Sequence, residues 1–126
     1  MLKQIVQETS YRMGVATITV SDMAISRTFY EDIVGMTVHS YYEPTNWMAY
    51  QMEDKVLFAI QEMQGFQRQR SVDLLDFYVE DVDLLWDRIK DKCTVIRILE
   101  RTPWGSYKFV IQDPDGFMLG FVKKEA

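Results

Sequence analysis

Trp104-Gly105-Ser106-Tyr107-Lys108-Phe109-Val110-Ile111-Gln112-Asp113-Pro114-Asp115-Gly116-Phe117-Met118-Leu119-Gly120-Phe121 reads as a β-hairpin, two strand patterns on either side of Asp-Pro-Asp-Gly. Pro114 presets φ, Asp115 tolerates unusual backbone geometry, and Gly116 supplies positive φ without steric cost. A turn of this kind carries no function by itself. It does fix strands at about Tyr107 to Gln112 and Phe117 to Val122, from which the rest of the chain can be read backwards.

Upstream of that hairpin, Val72 to Val79 has strand character, Glu80-Asp81 caps a helix bearing Val82, Leu84, Leu85, Trp86 and Ile89, and a strand follows at about Thr94 to Leu99. The order is β-α-β-β-β. The first half repeats it: Val15 to Val20 is a β-branched run, Ser21-Asp22 offers an N-cap, and a helix carries Met23, Ile25, Phe29, Tyr30, Ile33 and Val34 until Gly35. Strands follow at about Met36 to Tyr42, Trp47 to Met52 and Lys55 to Gln61, separated by the turns Glu43-Pro44-Thr45-Asn46 and Glu53-Asp54. A polar connection, Glu62 to Ser71, divides the halves. The repeat spans about 55 residues and shows mainly in its matching entries, Ile18-Thr19-Val20-Ser21-Asp22-Met23 and Phe77-Tyr78-Val79-Glu80-Asp81-Val82. The expected fold is α+β, a single domain over residues 1–126 with modules at about 13–62 and 72–123.

A chain of 126 residues can bury roughly two-thirds of its unfolded surface and hold a core without staples. An apolar fraction of 48% with 26% charge excludes disorder. The net charge of −5 and the lack of a basic stripe exclude a nucleic-acid partner. The densest basic segment, around Arg68 and Arg70, reads as a solvated loop. Cys93 is the single cysteine, so no disulfide framework exists, and a reducing, cytoplasmic setting is expected. No export signal and no apolar run of spanning length is found, so neither secretion nor a membrane partner is expected. Three Trp, seven Tyr, seven Phe and eight Met suit either a large core or an apolar pocket.

Two such modules, with Val15 to Asp22 leading into Ser26-Arg27-Thr28-Phe29-Tyr30-Glu31-Asp32-Ile33-Val34-Gly35-Met36 and with the closing Trp-Gly, strand and Asp-Pro-Asp-Gly, resemble the vicinal oxygen chelate superfamily. This is the glyoxalase, bleomycin-resistance and extradiol-dioxygenase group. The resemblance covers about residues 13 to 123. It implies two βαβββ modules curved around a concave cavity, and a homodimer with two shared pockets.

Metal-dependent members carry His or Gln on the first strand of a module and Glu on the last. Aligning the entries places those positions at Val15 and Leu74 on the opening strands, near Ala59 on the first closing strand, and at Gly120 on the second. None of these can bind a metal, and His39, the single histidine, lies outside the pattern. Gln61 or Glu62 could enter by a slip of register and would still leave three ligands missing. No metal and no cofactor are therefore expected. Absent ligands, acidic charge and Trp104-Gly105 look most like the bleomycin-resistance branch, which binds and sequesters a cationic aromatic antibiotic without changing it.

Strand alternation assigns Thr17 and Thr19 to the face of Val15, Asp76 and Tyr78 to that of Leu74, and Met118 and Val122 to that of Gly120. The opposite set, including Ile18, Val20, Leu75, Phe77, Val79, Leu119 and Phe121, packs on the helices. The candidate ligand-binding residues are Trp47, Asp76, Tyr78, Trp104 and Met118. Asp76 would favour a cation or act as a base, or else pair with Lys or Arg or sit at a wet dimer seam. Trp47 and Trp104 could stack on an aromatic ligand or close the dimer interface. The expected function is metal-independent binding of a small molecule. The alternative is a metal-independent enzyme in which Asp76 or Tyr78 serves as acid or base.

Overall fold

Strand alternation is realised in β1 (Val15–Val20) and β5 (Leu74–Val79). In β1, Ile18 and Val20 are buried while Val15 and Thr17 are exposed. In β5, Leu75, Phe77 and Val79 pack on the core while Leu74, Asp76 and Tyr78 face solvent. The computed structural model describes residues 8–53 and 55–124. Among these, β2 (Val38–Tyr42), β3 (Trp47–Tyr50) and β4 (Leu57–Glu62) complete one sheet, ordered β1-β4-β3-β2. In the second half β6 (Thr94–Arg101), β7 (Tyr107–Gln112) and β8 (Met118–Lys123) complete another, ordered β5-β8-β7-β6. In each sheet the opening strand runs parallel to the closing one and the other pairings are antiparallel. The α+β fold of two βαβββ modules is thus present.

Element ends differ from expectation by one or two residues, for local reasons. β4 starts at Leu57 because Lys55 has φ +67, a left-handed conformation that a strand excludes. Asp54 of the expected turn lies outside the described residues. β2 starts at Val38 because the Met36 amide still bonds to the Tyr30 carbonyl at the end of the preceding helix.

That helix is the less regular of the two. Asp22 caps α1 (Met23–Arg27), its side chain accepting from the Ile25 amide. From Thr28 to Ile33 the backbone widens to a π winding, with Val34 N bonded to Phe29 O and Gly35 N to Tyr30 O. Phe29 and its neighbour Tyr30 are both buried there. In the second module Asp81 caps a regular α2 (Val82–Ile89) through the Leu84 amide at 3.0 Å.

The two modules share one core, drawn from the helix-covered faces of both sheets. Phe58 meets Phe77 edge-on with ring centroids 5.3 Å apart. Arg88 of α2 donates to the carbonyls of Ile33 and Val34 at 2.9 and 2.8 Å. The Asp-Pro-Asp-Gly turn does more than reverse the chain. Asp113 Oδ1 accepts from the amides of Asp115 and Phe117, its Oδ2 accepts from Tyr30 Oη at 2.7 Å, and Asp115 accepts from the Ser21 amide. The closing hairpin is thereby clamped to the entry of the first module.

The expectation of a solvated loop around Arg68 is corrected. Its guanidinium lies 5.0 Å from the Phe66 ring centroid and 4.9 Å from that of Phe117, and it donates to Thr19 O at 2.9 Å. A planar, weakly hydrated cation stacks between aromatic faces at little desolvation cost, so this residue joins the halves. No helix among the described residues is long and apolar enough to cross a membrane.

Candidate functional site

Because the helix-covered faces meet in the core, the other face of each sheet points outward. Register partners share a face, so the second sheet presents Leu74 beside Met118, Asp76 beside Gly120 and Val110, and Tyr78 beside Val122 and Lys108. Asp76, Tyr78 and Met118 therefore stand together on one outer face, as alternation predicts.

Lys108 is the residue that sequence reasoning missed. Its Nζ donates to Asp76 Oδ1 at 2.7 Å, with the lysine side chain 10% exposed and the aspartate 45%. Of the alternatives foreseen for Asp76, pairing with a basic residue is thus the one observed. The available signal was that Lys108 alternates with Val110 and Gln112 between the core residues Phe109 and Ile111. Cross-strand register was needed to set it beside Asp76. Gly120 makes the pairing possible, since a Cβ there would collide with the Asp76 carboxylate and lie 3.2 Å from Lys108 Nζ.

On the first sheet the matching row is Thr17, Ala59 and Ala49, followed by Thr19, Gln61 and Trp47. Ala49 and Ala59 are fully buried, and Trp47 Nε1 donates to Thr17 Oγ1 at 3.2 Å. Trp47 thus lies on the outer face of the first sheet, which turns away from the core it shares with the second. Trp104 sits in the β6–β7 turn, 74% exposed. A single chain does not bring either tryptophan to Asp76.

This architecture places the chain among known proteins. The sequence profile of the Glyoxalase/Bleomycin resistance protein/Dioxygenase superfamily matches residues 12–121. The chain belongs to that superfamily. Among similar solved structures is a protein of unknown function from Agrobacterium tumefaciens, 24% identical with a TM-score of 0.73, covering 95% of this chain and 98% of that one. A glyoxalase/dioxygenase from Nostoc punctiforme is 15% identical with a TM-score of 0.76, over 96% and 99%. A lactoylglutathione lyase from Agrobacterium tumefaciens is 18% identical with a TM-score of 0.70, over 92% and 96%. At these identities the likeness is one of fold. No curated protein matches the sequence.

The metal chemistry of the superfamily can be tested against the donors present. Register sets Thr17 beside Ala59 and Asp76 beside Gly120, so the opening-strand partners of those two closing positions are Thr17 and Asp76, two residues along from Val15 and Leu74. These four positions offer one carboxylate, and an ammonium already stands against it. Gln61 donates to Thr45 O, and Glu62 accepts from the Met23 amide. Among the described residues no group of three or more His, Cys, Asp or Glu could hold an ion. A divalent metal does not fit this donor set.

Other reactive groups are occupied. His39 is exposed, with Nδ1 3.0 Å from Ser40 Oγ. Cys93 Sγ donates to Ile89 O, and burial pushes the thiol up, away from the thiolate form.

A hollow of about 740 Å³ lies in the seam between modules, walled by residues such as Met36, Met52, Phe58, Leu75, Phe77 and Leu85, and Asp76 and Tyr78 of β5 also line it. Its charged rim is structurally engaged: Arg88 holds carbonyls, Asp81 caps α2, and Lys124 pairs with Glu53 at 3.6 Å. A ligand site combines apolar walls with convergent polar groups. Polar and apolar groups converge on the outer face of the second sheet, where Asp76 and Lys108 meet beside Tyr78, Val122 and Met118.

Proposed function

We propose that this protein is a metal-independent binder of small aromatic molecules, acting as a homodimer. Each pocket would join the outer face of the first sheet of one chain to the outer face of the second sheet of the other. The observation that carries the reading is the Lys108–Asp76 pair over Gly120, which fills with an internal ion pair the place where the superfamily's metal ligands would stand. Exposed apolar side chains support the dimer, with Val15 on one outer face and Leu74 and Tyr78 on the other. The finer expectation of a cationic antibiotic rests on the aromatic faces of Trp47 and Tyr78, because Lys108 offsets the charge of Asp76.

Two measurements test this reading. Light scattering should give twice the 14.9 kDa chain mass. Thermal unfolding against aromatic compounds and divalent metals should shift with an aromatic compound, by about 2.7 kcal/mol at a hundred times its dissociation constant, and not with metals. Mixing Trp47→Ala with Lys108→Met chains should recover binding in the heterodimer, one of whose two pockets is intact. A monomer, or turnover abolished by Asp76→Asn, would replace this reading with a single-chain binder or an acid–base enzyme.

A further inference from the structure

Lys108 and Asp76 leave hydrogen-bonding capacity unused. Among the described residues the pair makes one hydrogen bond, from Nζ to Oδ1. Two ammonium protons and the second carboxylate oxygen have no partner among the described residues. The lysine side chain is only 10% exposed, and its ammonium, held against a single acceptor, has two donors to spare. Around it lie Val110 and Val122, both buried, with Tyr78 alongside. The pair is therefore an incomplete polar centre in an apolar surround, with an acceptor wanted on one side and a donor on the other.

We infer that Lys108 anchors the ligand of this site, and that the ligand is an aromatic acid bearing a hydroxyl or amino group next to its carboxylate. The carboxylate accepts from the free protons of Lys108, and the neighbouring group donates to the free oxygen of Asp76. Charge-assisted bonds of this kind are shorter and stronger than neutral ones, and two of them fix orientation. The pair is neutral as a whole, yet Lys108 is its more buried side chain, 10% exposed against 45% for Asp76, so a ligand carboxylate gains more than a ligand cation does. This rests on the binder reading above and names the ligand class for the same site.

Full-length protein is titrated with 2-hydroxybenzoate, benzoate and benzylamine, following backbone amide shifts by NMR. The expected order of affinity is 2-hydroxybenzoate, then benzoate, then benzylamine. Lys108→Met should weaken 2-hydroxybenzoate by about tenfold or more, the equivalent of one charge-assisted hydrogen bond, and strengthen benzylamine, because Asp76 then stands unpaired. Lys108→Arg should restore most of the acid binding, and Lys108→Gln replaces the methionine variant if that one does not fold. Asp76→Asn should strengthen benzoate and erase the advantage of the hydroxyl. Benzylamine binding above benzoate, or 2-hydroxybenzoate indifferent to Lys108→Met, overturns the inference while leaving the binder reading standing. Binding of none of the three probes overturns both.

Discussion

The two modules share strand order, a parallel opening pair and an Asp-capped helix, yet their outer faces differ. The row of Thr17, Ala59 and Ala49 is small and uncharged, and its one hydrogen bond to another side chain comes from Trp47. The corresponding row of Asp76, Gly120 and Val110 holds a carboxylate whose ammonium partner is nearly buried. Their helices differ as well, since α1 gives way to a π winding that buries Phe29 and Tyr30, whereas α2 is regular. One scaffold takes two forms: the first module is clamped to the second through Tyr30 and Ser21, and the second carries the ion pair on its outer face.

The largest test of this division is the inter-module clamp. Asp113→Ala strands the Tyr30 hydroxyl and the amides of Asp115 and Phe117, and should cost about 3 kcal/mol in urea unfolding. A loss below 1 kcal/mol would show that the modules hold together without it.

The outer faces of the two sheets give the next largest contrast. Gly120→Ala drives the Asp76 carboxylate away from Lys108 and should cost about 1–2 kcal/mol, recovered in part when Asp76→Ala is added. Ala59→Gly, its counterpart in the first sheet, should cost about 1–2 kcal/mol, from backbone entropy and a lost buried methyl group, with no part recovered by a second substitution. Additive effects in both sheets would erase the distinction drawn between them.

A pH series probes the clamp more finely. Burial pushes the Asp113 carboxyl above its ordinary 3.8, while the Tyr30 hydroxyl and the Phe117 and Asp115 amides pull the other way. For an acid whose folded value is raised, the stabilisation is complete below the unfolded value and is lost as pH rises through the folded one. Relative to Asp113→Asn, the wild-type protein should therefore lose stability as pH rises above 3.8, then level off. A relative gain with rising pH would reverse the assignment. The smallest effect belongs to Trp47→Phe, which removes one half-exposed bond to Thr17 and should cost about 0.5 kcal/mol in the same urea assay.

Much of the fold was legible because it rests on short-range rules. Period-2 alternation separated Ile18 and Val20 from Thr17, and Phe77 from Asp76 and Tyr78. Aspartates at 22 and 81 announced both helices. Less could be read where an interaction joins distant residues. Arg68 looked like a solvated charge until Phe66 and Phe117 were seen around it. Asp113 looked like turn punctuation because its partner Tyr30 is 83 residues away. Of the candidate site residues, Asp76, Tyr78 and Met118 proved to share a face, whereas Trp47 and Trp104 lie elsewhere in the chain's surface.

By itself the sequence determined the repeated βαβββ order, the faces of its strands and the lack of metal-binding side chains at the closing positions. The first two follow from local periodicity, and the third from residue chemistry at the positions that the superfamily resemblance implies. Tertiary structure decided that Lys108 neutralises Asp76 above Gly120, and that the Asp-Pro-Asp-Gly turn binds one module to the other. Those outcomes depend on which strands become neighbours and in what register, and register is set by how both sheets bury their apolar faces in one core.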